Sequence, residues 1–475
     1  MKESFKRGMI KLPARASIWY LAVSIIAKGV SVLTTPFFTR LLDGEEYGQF
    51  ALYMTLLGGG SVICSAFNSG SALYNGLRKS DNEKERYLKA TLTVSVASSL
   101  LFCLFLFTLS PFLEINRVIL LPLSIQLLCD GIVAVLLGAE KYYYRYKTVA
   151  TVSIATAVLP PLISIIILMN GNYGYSVRIY SLLFISMLTA IFALIRLLRA
   201  RGGEKKKTSV LLIKEVVKFS SPMLPHSVLT AVTNQADKLI ITALMGAAAL
   251  GKYSVIFSLG IALQFIVTAM GSALSPWIIR RLEVGEGRRI AELISPMVLG
   301  YAALGLCLIA ATPEALAILA PPEYFDAFPA LLPIAMSTPF FFLSTVATVG
   351  IVHSGRTSYS LIVSVVSGIS CIILNYTLIE RFGYLGAGLA FLICQAVGAV
   401  LSVALLLKTE EMEMIDPKGI VLSLLITAPF SVLIYMLRKS LVWRAAMLII
   451  PAAMLLYCLN KARTLVIEKP VKSAP

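Results

Sequence analysis

Apolar runs of about twenty residues, broken by short polar stretches, repeat along this chain from end to end. LTVSVASSLLFCLFLFTLSPFL at 92–113 is representative. It lacks the strict alternation of a half-buried strand and is apolar on every side of a helix. At 1.5 Å per residue such a run crosses a bilayer core roughly 30 Å thick. The pattern predicts fourteen helical spans, at 16–39, 48–69, 89–111, 118–139, 148–169, 177–198, 219–245, 251–277, 293–319, 328–353, 357–379, 384–407, 419–437 and 441–460. The first follows a basic start, but its apolar run is too long for a signal peptide and has no small-residue cleavage site, so it reads as a retained helix. The longest break is the basic stretch LRARGGEKKKTSVLLIKEVVK. The predicted architecture is an all-α polytopic membrane protein. It has an N-terminal lobe over 1–198, a basic linker over 199–218, a C-terminal lobe over 219–407, and two added spans with a tail over 408–475.

An internal repeat supports the two lobes. TRLLDGEEYGQFALYMTLL (39–57) matches TALMGAAALGKYSVIFSLG (242–260) at an offset of 203, pairing Thr39 with Thr242, Gly48 with Gly251 and Phe50 with Tyr253. One helix later GSAL occurs at 70–73 and again at 271–274, and YGYSV (173–177) has a weaker echo in FGYLG (382–386). Six spans separate the copies, and an even number preserves orientation, so spans 1–6 and 7–12 read as parallel repeats.

Polar residues inside the spans then stand out. Ser24, Lys28, Ser31 and Thr35 share one face of span 1. In span 7, His226, Thr230, Thr233 or Asn234, and Asp237 share a face, with Gln235 and Lys238 on the adjacent strip. Such stripes avoid lipid and turn to a bundle interior or a watery cavity. Lys28 lies roughly 16 Å into its span, near the midplane, which favours a cavity cation. Asp237 and Lys238 lie about 25 Å into theirs, toward the outer interface. Two readings stand for each: for Lys238, snorkelling or a cavity role; for Asp237, a local ion pair or hydrogen bond to Asn234, or a coupling role. Asp130 and Gln126 are four apart on span 4 and suit a helix–helix contact as well as a functional pair. Gln264, Asn375 and Gln395 read as interhelical hydrogen-bonding residues, and Arg40 as an outer-mouth cation or a helix C-terminal cap.

Composition narrows the function. Of 475 residues, 58% are hydrophobic and 14% charged, with mean hydropathy +0.83. Soluble domains carry about a quarter charged residues, so a large water-soluble core is excluded. The net charge of +17 is unevenly placed. With the N-terminus in the cytoplasm, 32 of the 42 basic residues fall on that side, so both termini are expected there, in a multi-pass protein of the cytoplasmic (plasma) membrane. One connection disagrees, since Arg438, Lys439 and Arg444 then face outward. Basic loops beside anionic lipid explain the charge; no folded domain suited to nucleic acid is present. The seven cysteines form no CxxC pair and lie within spans, so no metal site is expected. With two histidines and none of the common hydrolase or phosphate-loop motifs, no enzyme activity and no cofactor are expected.

Several segments together carry a family likeness. These are the Thr-x-Leu-Leu element followed by Gly-[Gln/Lys]-[Phe/Tyr], NQADKLIITALMGAAALGKYSV (234–255), APPEYFDAFPALLPI (320–334) and RFGYLGAGLAFLICQ (381–395). The chain resembles Wzx-type O-antigen or capsular repeat-unit flippases of the multidrug/oligosaccharidyl-lipid/polysaccharide (MOP) exporter superfamily. The resemblance implies two pseudo-symmetric six-helix lobes around a central cavity that opens alternately to either side. It implies a polyprenyl-pyrophosphate-linked oligosaccharide as cargo, moved from the inner to the outer leaflet. Membrane lipids, a polysaccharide polymerase and other glycan assembly proteins are the implied partners. Lys28, Arg40 and Lys238 are the positions that would hold the pyrophosphate, and Asp237 and Asp130 the candidates for an ion pair or for coupling to H+ or Na+. Three rivals remain: a multidrug or small-solute antiporter of the same superfamily, a membrane polysaccharide polymerase or ligase, and a non-transporting scaffold in a glycan assembly complex.

Overall fold

The computed structural model describes residues 2–65, 70–79, 84–109, 117–171, 173–199, 210–221, 224–356, 358–437 and 440–467. Arg438, Lys439, the first half of the basic linker and the His226 side chain lie outside the described residues. Every regular element among the described residues is a helix, as hydrocarbon requires of a chain that must satisfy its own backbone. The chain divides into two compact units, Met1–Gln235 and Ala236–Pro475.

The first unit holds α1 (Lys2–Leu41), α2 (Gly44–Cys64), α3 (Gly70–Lys79), α4 (Lys84–Leu109), α5 (Arg117–Tyr142), α6 (Tyr146–Met169), α7 (Ser176–Arg199) and α8 (Val210–Ser220). The division falls inside α9 (Leu224–Met245). Helix α5 is the centre of this unit, with α2, α4, α6 and α7 packed around it and α1 laid on α6. Phe50, Tyr53, Leu57, Leu123 and Leu127 fill the seam between α2 and α5. Gly60 lets the seam close, since a Cβ there would meet Leu127 and Phe102 at 2.9 Å. Near the other end of α5, buried Glu140 accepts from Arg196 Nε at 3.0 Å and Nη2 at 3.2 Å, fixing α5 to α7.

Part of the stretch that reads as a linker folds. Helix α8 buries Leu212 and Val216, one turn apart, against Leu73, Leu77 and Tyr87 of α3 and α4.

The second unit continues with α10 (Ala247–Gly260), α11 (Ala262–Glu283), α12 (Gly287–Leu319), a 3-10 segment (Pro322–Ala330), α13 (Leu331–Met336), α14 (Thr338–His353) and α15 (Ser358–Leu406). A short 3-10 turn, α16 (Pro417–Met436), α17 (Leu441–Met447) and α18 (Ile449–Ile467) complete it. Helix α15 is two spans broken at Gly383, whose φ of 55° and ψ of −128° only glycine adopts without strain. Helix α12 is the hub, carrying α14, α16 and α18.

Eleven helical stretches of the described residues are long and apolar enough to cross a membrane, one of them the bent α15. Counting α15 as two, and adding α2 and α9, recovers the fourteen predicted spans. Helices α2 and α9 have 21 and 22 residues, a membrane-spanning length, but the Gly58–Gly60 run and the polar stripe lower their hydropathy. Of the three basic residues expected to face outward, Arg444 is described and has a partner. Arg444 is 5% exposed, and its guanidinium donates to Ala310 O at 2.6 Å and to both oxygens of Glu314 at 2.7 and 2.5 Å. It pins α17 to the end of α12.

Candidate functional site

Helix α1 presents three faces. Val23, Thr34 and Phe38 are buried toward its own unit, while Ile25, Val32, Leu33 and Phe37 are exposed and apolar. Between them runs the polar stripe: Ser24, Lys28 and Ser31 are exposed and Thr35 is half-buried. The threonines satisfy their hydroxyls locally, Thr34 donating to Val30 O and Thr35 to Ser31 O, both at 2.8 Å. Arg40, exposed at the helix end, donates to Pro36 O at 3.2 Å, the arrangement of a C-terminal cap.

The second cluster lies in the Ala236–Pro475 unit. Asp237 is 2% exposed, and its Oδ2 accepts from the hydroxyl of fully buried Tyr253 on α10 at 2.8 Å. Lys238 Nζ lies 3.8 Å from Asp237 Oδ1 and 4.3 Å from the centre of the Phe257 ring. The lysine is therefore engaged by its neighbour and an aromatic face, with a side chain only 15% exposed. Asn375 donates to Cys371 O at 2.9 Å and to Cys371 Sγ at 3.3 Å. The expectation of an interhelical bond from this residue is corrected: both acceptors are one turn back on its own helix, α15. Gln264, by contrast, does reach out of its helix, donating to Ser337 Oγ at 3.3 Å. Asp237 Oδ1 and Asn375 Oδ1 are both buried acceptors without a hydrogen-bond donor.

A third polar cluster sits in the first unit. Gln126 Nε2 donates to Asp130 Oδ1 at 3.1 Å and to Ser186 Oγ at 2.5 Å, tying α5 to α7. That is the helix–helix contact the spacing allowed. On α9, Asn234 is exposed and Thr230 half-buried. The Gln235 side chain lies on the α2 glycines, where a Cβ on Gly58 would stand 2.8 Å from its Nε2. The candidate residues thus fall into separate groups on α1, on α5 and around the α9–α10 junction. Tyr253 and Phe257 were missed as partners of the NQADK segment. Their signal was present in the repeat, since Tyr253 occupies the position of Phe50. Arg178 was missed as well: its guanidinium stacks 3.7 Å over Phe38 and 3.8 Å over Phe50, joining α7 to α1 and α2.

The family model of polysaccharide biosynthesis proteins matches residues 14–281, more than half of the chain. This protein belongs to that family. No curated protein matches it by sequence. Solved structures share its fold. Lipid II flippase MurJ, in an inward closed conformation, superposes with a TM-score of 0.66 at 15% identity, covering 95% of this chain and 100% of that one. A Vibrio cholerae MATE transporter gives 0.56 at 13% identity, over 85% and 97% of the two chains. An inward-facing multidrug resistance MATE family transporter of the MOP superfamily gives 0.53 at 14% identity, over 87% and 98%. The fold of this family member is therefore that of MOP-superfamily membrane transporters.

Proposed function

We propose that this protein carries a polyprenyl-pyrophosphate-linked oligosaccharide from the inner to the outer leaflet of the cytoplasmic membrane by alternating access. Membership of a polysaccharide biosynthesis family supports a glycan cargo, and the fold shared with a lipid II flippase supports a lipid-linked one. The observation that carries the reading is Lys28, an exposed cation within the apolar span Ala22–Leu41 of α1, flanked on the same face by Ser24 and Ser31. Facing lipid, a lysine would cost up to about 2.5–3.5 kcal/mol at the bilayer centre. A hydrated strip avoids that cost and offers fixed donors to a pyrophosphate, which bare hydrocarbon would strip of its water. Arg40, also exposed, adds a second cation at the end of the helix.

The test is surface glycan display in cells whose own copy of the gene is deleted. Lys28→Ala should abolish display with membrane levels of the protein unchanged, and Lys28→Arg should retain part of it. Full display by both Lys28→Ala and Lys28→Glu would remove the basis of the proposal.

The antiporter reading is supported by the fold shared with MATE transporters. Asp237 Oδ1 and Asn375 Oδ1 are buried oxygens of the kind that hold a hard cation, and they suit coupling to Na+ or H+ under either cargo. Ethidium efflux from cells expressing this protein, lost in Asp237→Asn while glycan display is untouched, would favour it.

A further inference from the structure

Residues 141–147, KYYYRYK, join α5 to α6 and place four tyrosines and three cations in seven positions. Tyr144 stands at φ 55°, a left-handed backbone rare for a residue with a side chain. The tight turn leaves the Tyr143 and Tyr144 rings exposed, together with Lys141, Arg145 and Lys147. Arg145 lies 5.4 Å over the Tyr143 ring and 3.6 Å from Glu140, which Arg196 holds in turn, so the turn is anchored to α7.

Beside this turn α1 and α6 leave a groove of about 600 Å3, lined by Trp19, Lys147, Thr151, Ile154, Val158 and Leu159 among others. Trp19 stacks on Tyr146 with ring centres 6.0 Å apart. Amphipathic aromatics gather at the headgroup level of a bilayer, and cations there attract anionic lipid. The groove wall along α6 is apolar. Its Thr151 hydroxyl already donates to Lys147 O at 2.9 Å, which leaves little to recognise a sugar.

We infer that this groove and the 141–147 turn form a binding site for an anionic glycerophospholipid. One acyl chain lies along Ile154, Val158 and Leu159, and the phosphate sits at Lys147 and Arg145. A groove with so little to recognise a sugar fits a lipid of the surrounding leaflet rather than the glycan-bearing cargo.

The full chain carries three tryptophans, so Trp277→Phe with Trp443→Phe leaves Trp19 as the reporter. This protein is reconstituted into phosphatidylcholine vesicles containing a small, equal fraction of dibrominated phosphatidylglycerol or dibrominated phosphatidylcholine. The brominated phosphatidylglycerol should quench Trp19 at about fivefold lower mole fraction, the effect of one cation at a membrane surface. Lys147→Gln should weaken that preference, Lys147→Gln combined with Arg145→Gln should erase it, and Lys147→Arg should keep it. Equal quenching by the two lipids in the parent overturns the proposal, as does a preference that survives Lys147→Gln combined with Arg145→Gln. Relief of quenching by a polyprenyl phosphate at lower mole fraction than by unlabelled phosphatidylglycerol overturns it too, and assigns the groove to an isoprenoid carrier.

Discussion

Tyr253→Phe isolates one bond of the buried cluster. The ring is fully buried and packs against Phe257 with centroids 5.5 Å apart, and phenylalanine keeps that packing. What disappears is the 2.8 Å hydrogen bond to Asp237 Oδ2. The other carboxylate oxygen has no hydrogen-bond donor, so the acid would be left with Lys238 at 3.8 Å. A hydrogen bond to a charged group contributes about 1.5–3 kcal/mol. For a cooperative body of 150–250 residues each kcal/mol moves the Tm by about 2–4 °C, so a loss near 2 kcal/mol lowers it by about 4–8 °C. Thermal unfolding of the purified protein in detergent, followed by intrinsic fluorescence, measures the shift. In an Asp237→Asn background the acceptor is neutral, and the same Tyr253→Phe change should then cost only about 0.5–1.5 kcal/mol. An equal loss in both backgrounds, or none in either, would refute the claim that this hydroxyl serves the Asp237 carboxylate.

Three further outcomes follow from the geometry. Arg444→Met breaks the clamp between α17 and α12; a fully buried pair would cost about 3–5 kcal/mol, but the Glu314 side chain is 49% exposed, so about 1–3 kcal/mol is expected as a fall in Tm. Arg444→Lys should recover less than half of that, because an ammonium cannot reproduce the two-pronged contact. Gly388→Ala puts a Cβ 2.6 Å from Ala330 O and from Pro333 Cγ, and should cost about 1–3 kcal/mol, read as a loss of monodisperse protein on size exclusion. Glu286, at the α11–α12 turn outside the spans, is held below the usual carboxylate range chiefly by its hydrogen bond from Arg281, with Arg289 adding charge. A depressed carboxylate stabilises fully above its unfolded value of about 4.3 and loses that contribution as pH falls through the lower folded value. The stability advantage of the parent over Glu286→Gln should therefore be flat above pH ~5 and shrink below pH ~4 in unfolding scans.

The spans were readable because hydrocarbon leaves a long uniform trace in sequence. Even the break at Gly383 falls between two predicted helices, since a glycine amid Arg381, Phe382 and Tyr384 interrupts the apolar run. What sequence hides is the partner. Arg444 counts as one more outward charge until Glu314, far away along the chain, is seen beside it. Asn375 suggested a neighbouring helix because a polar group in an apolar span needs a partner, yet the carbonyl one turn back satisfied its amide. Helix α8 is hidden in sequence because its eleven residues are too few to span a bilayer and follow closely on the charged run at 199–207. Nor does a polar face in sequence show its surroundings: Asp237 and Lys28 look alike in sequence, yet the first is buried and the second exposed.

Under the proposed function, that difference in burial gives the three candidate cations different tasks. Lys238 spends its charge on Asp237 and the Phe257 face, with little surface left for a ligand. Engaging a pyrophosphate there would require the carboxylate to be neutralised or moved first, because phosphate and Asp237 would compete for one ammonium group at close range. Lys28 and Arg40, by contrast, are exposed on the same helix, twelve residues apart. At 1.5 Å per residue that separates them by about 18 Å along the axis. A charge reversal at Lys28 should then block transport outright, whereas reversal at Lys238 should act first through the stability of the α9–α10 junction. Lys238→Glu that unfolds no more readily than the parent, yet abolishes glycan display, would invert this assignment and return the buried lysine to the transport path.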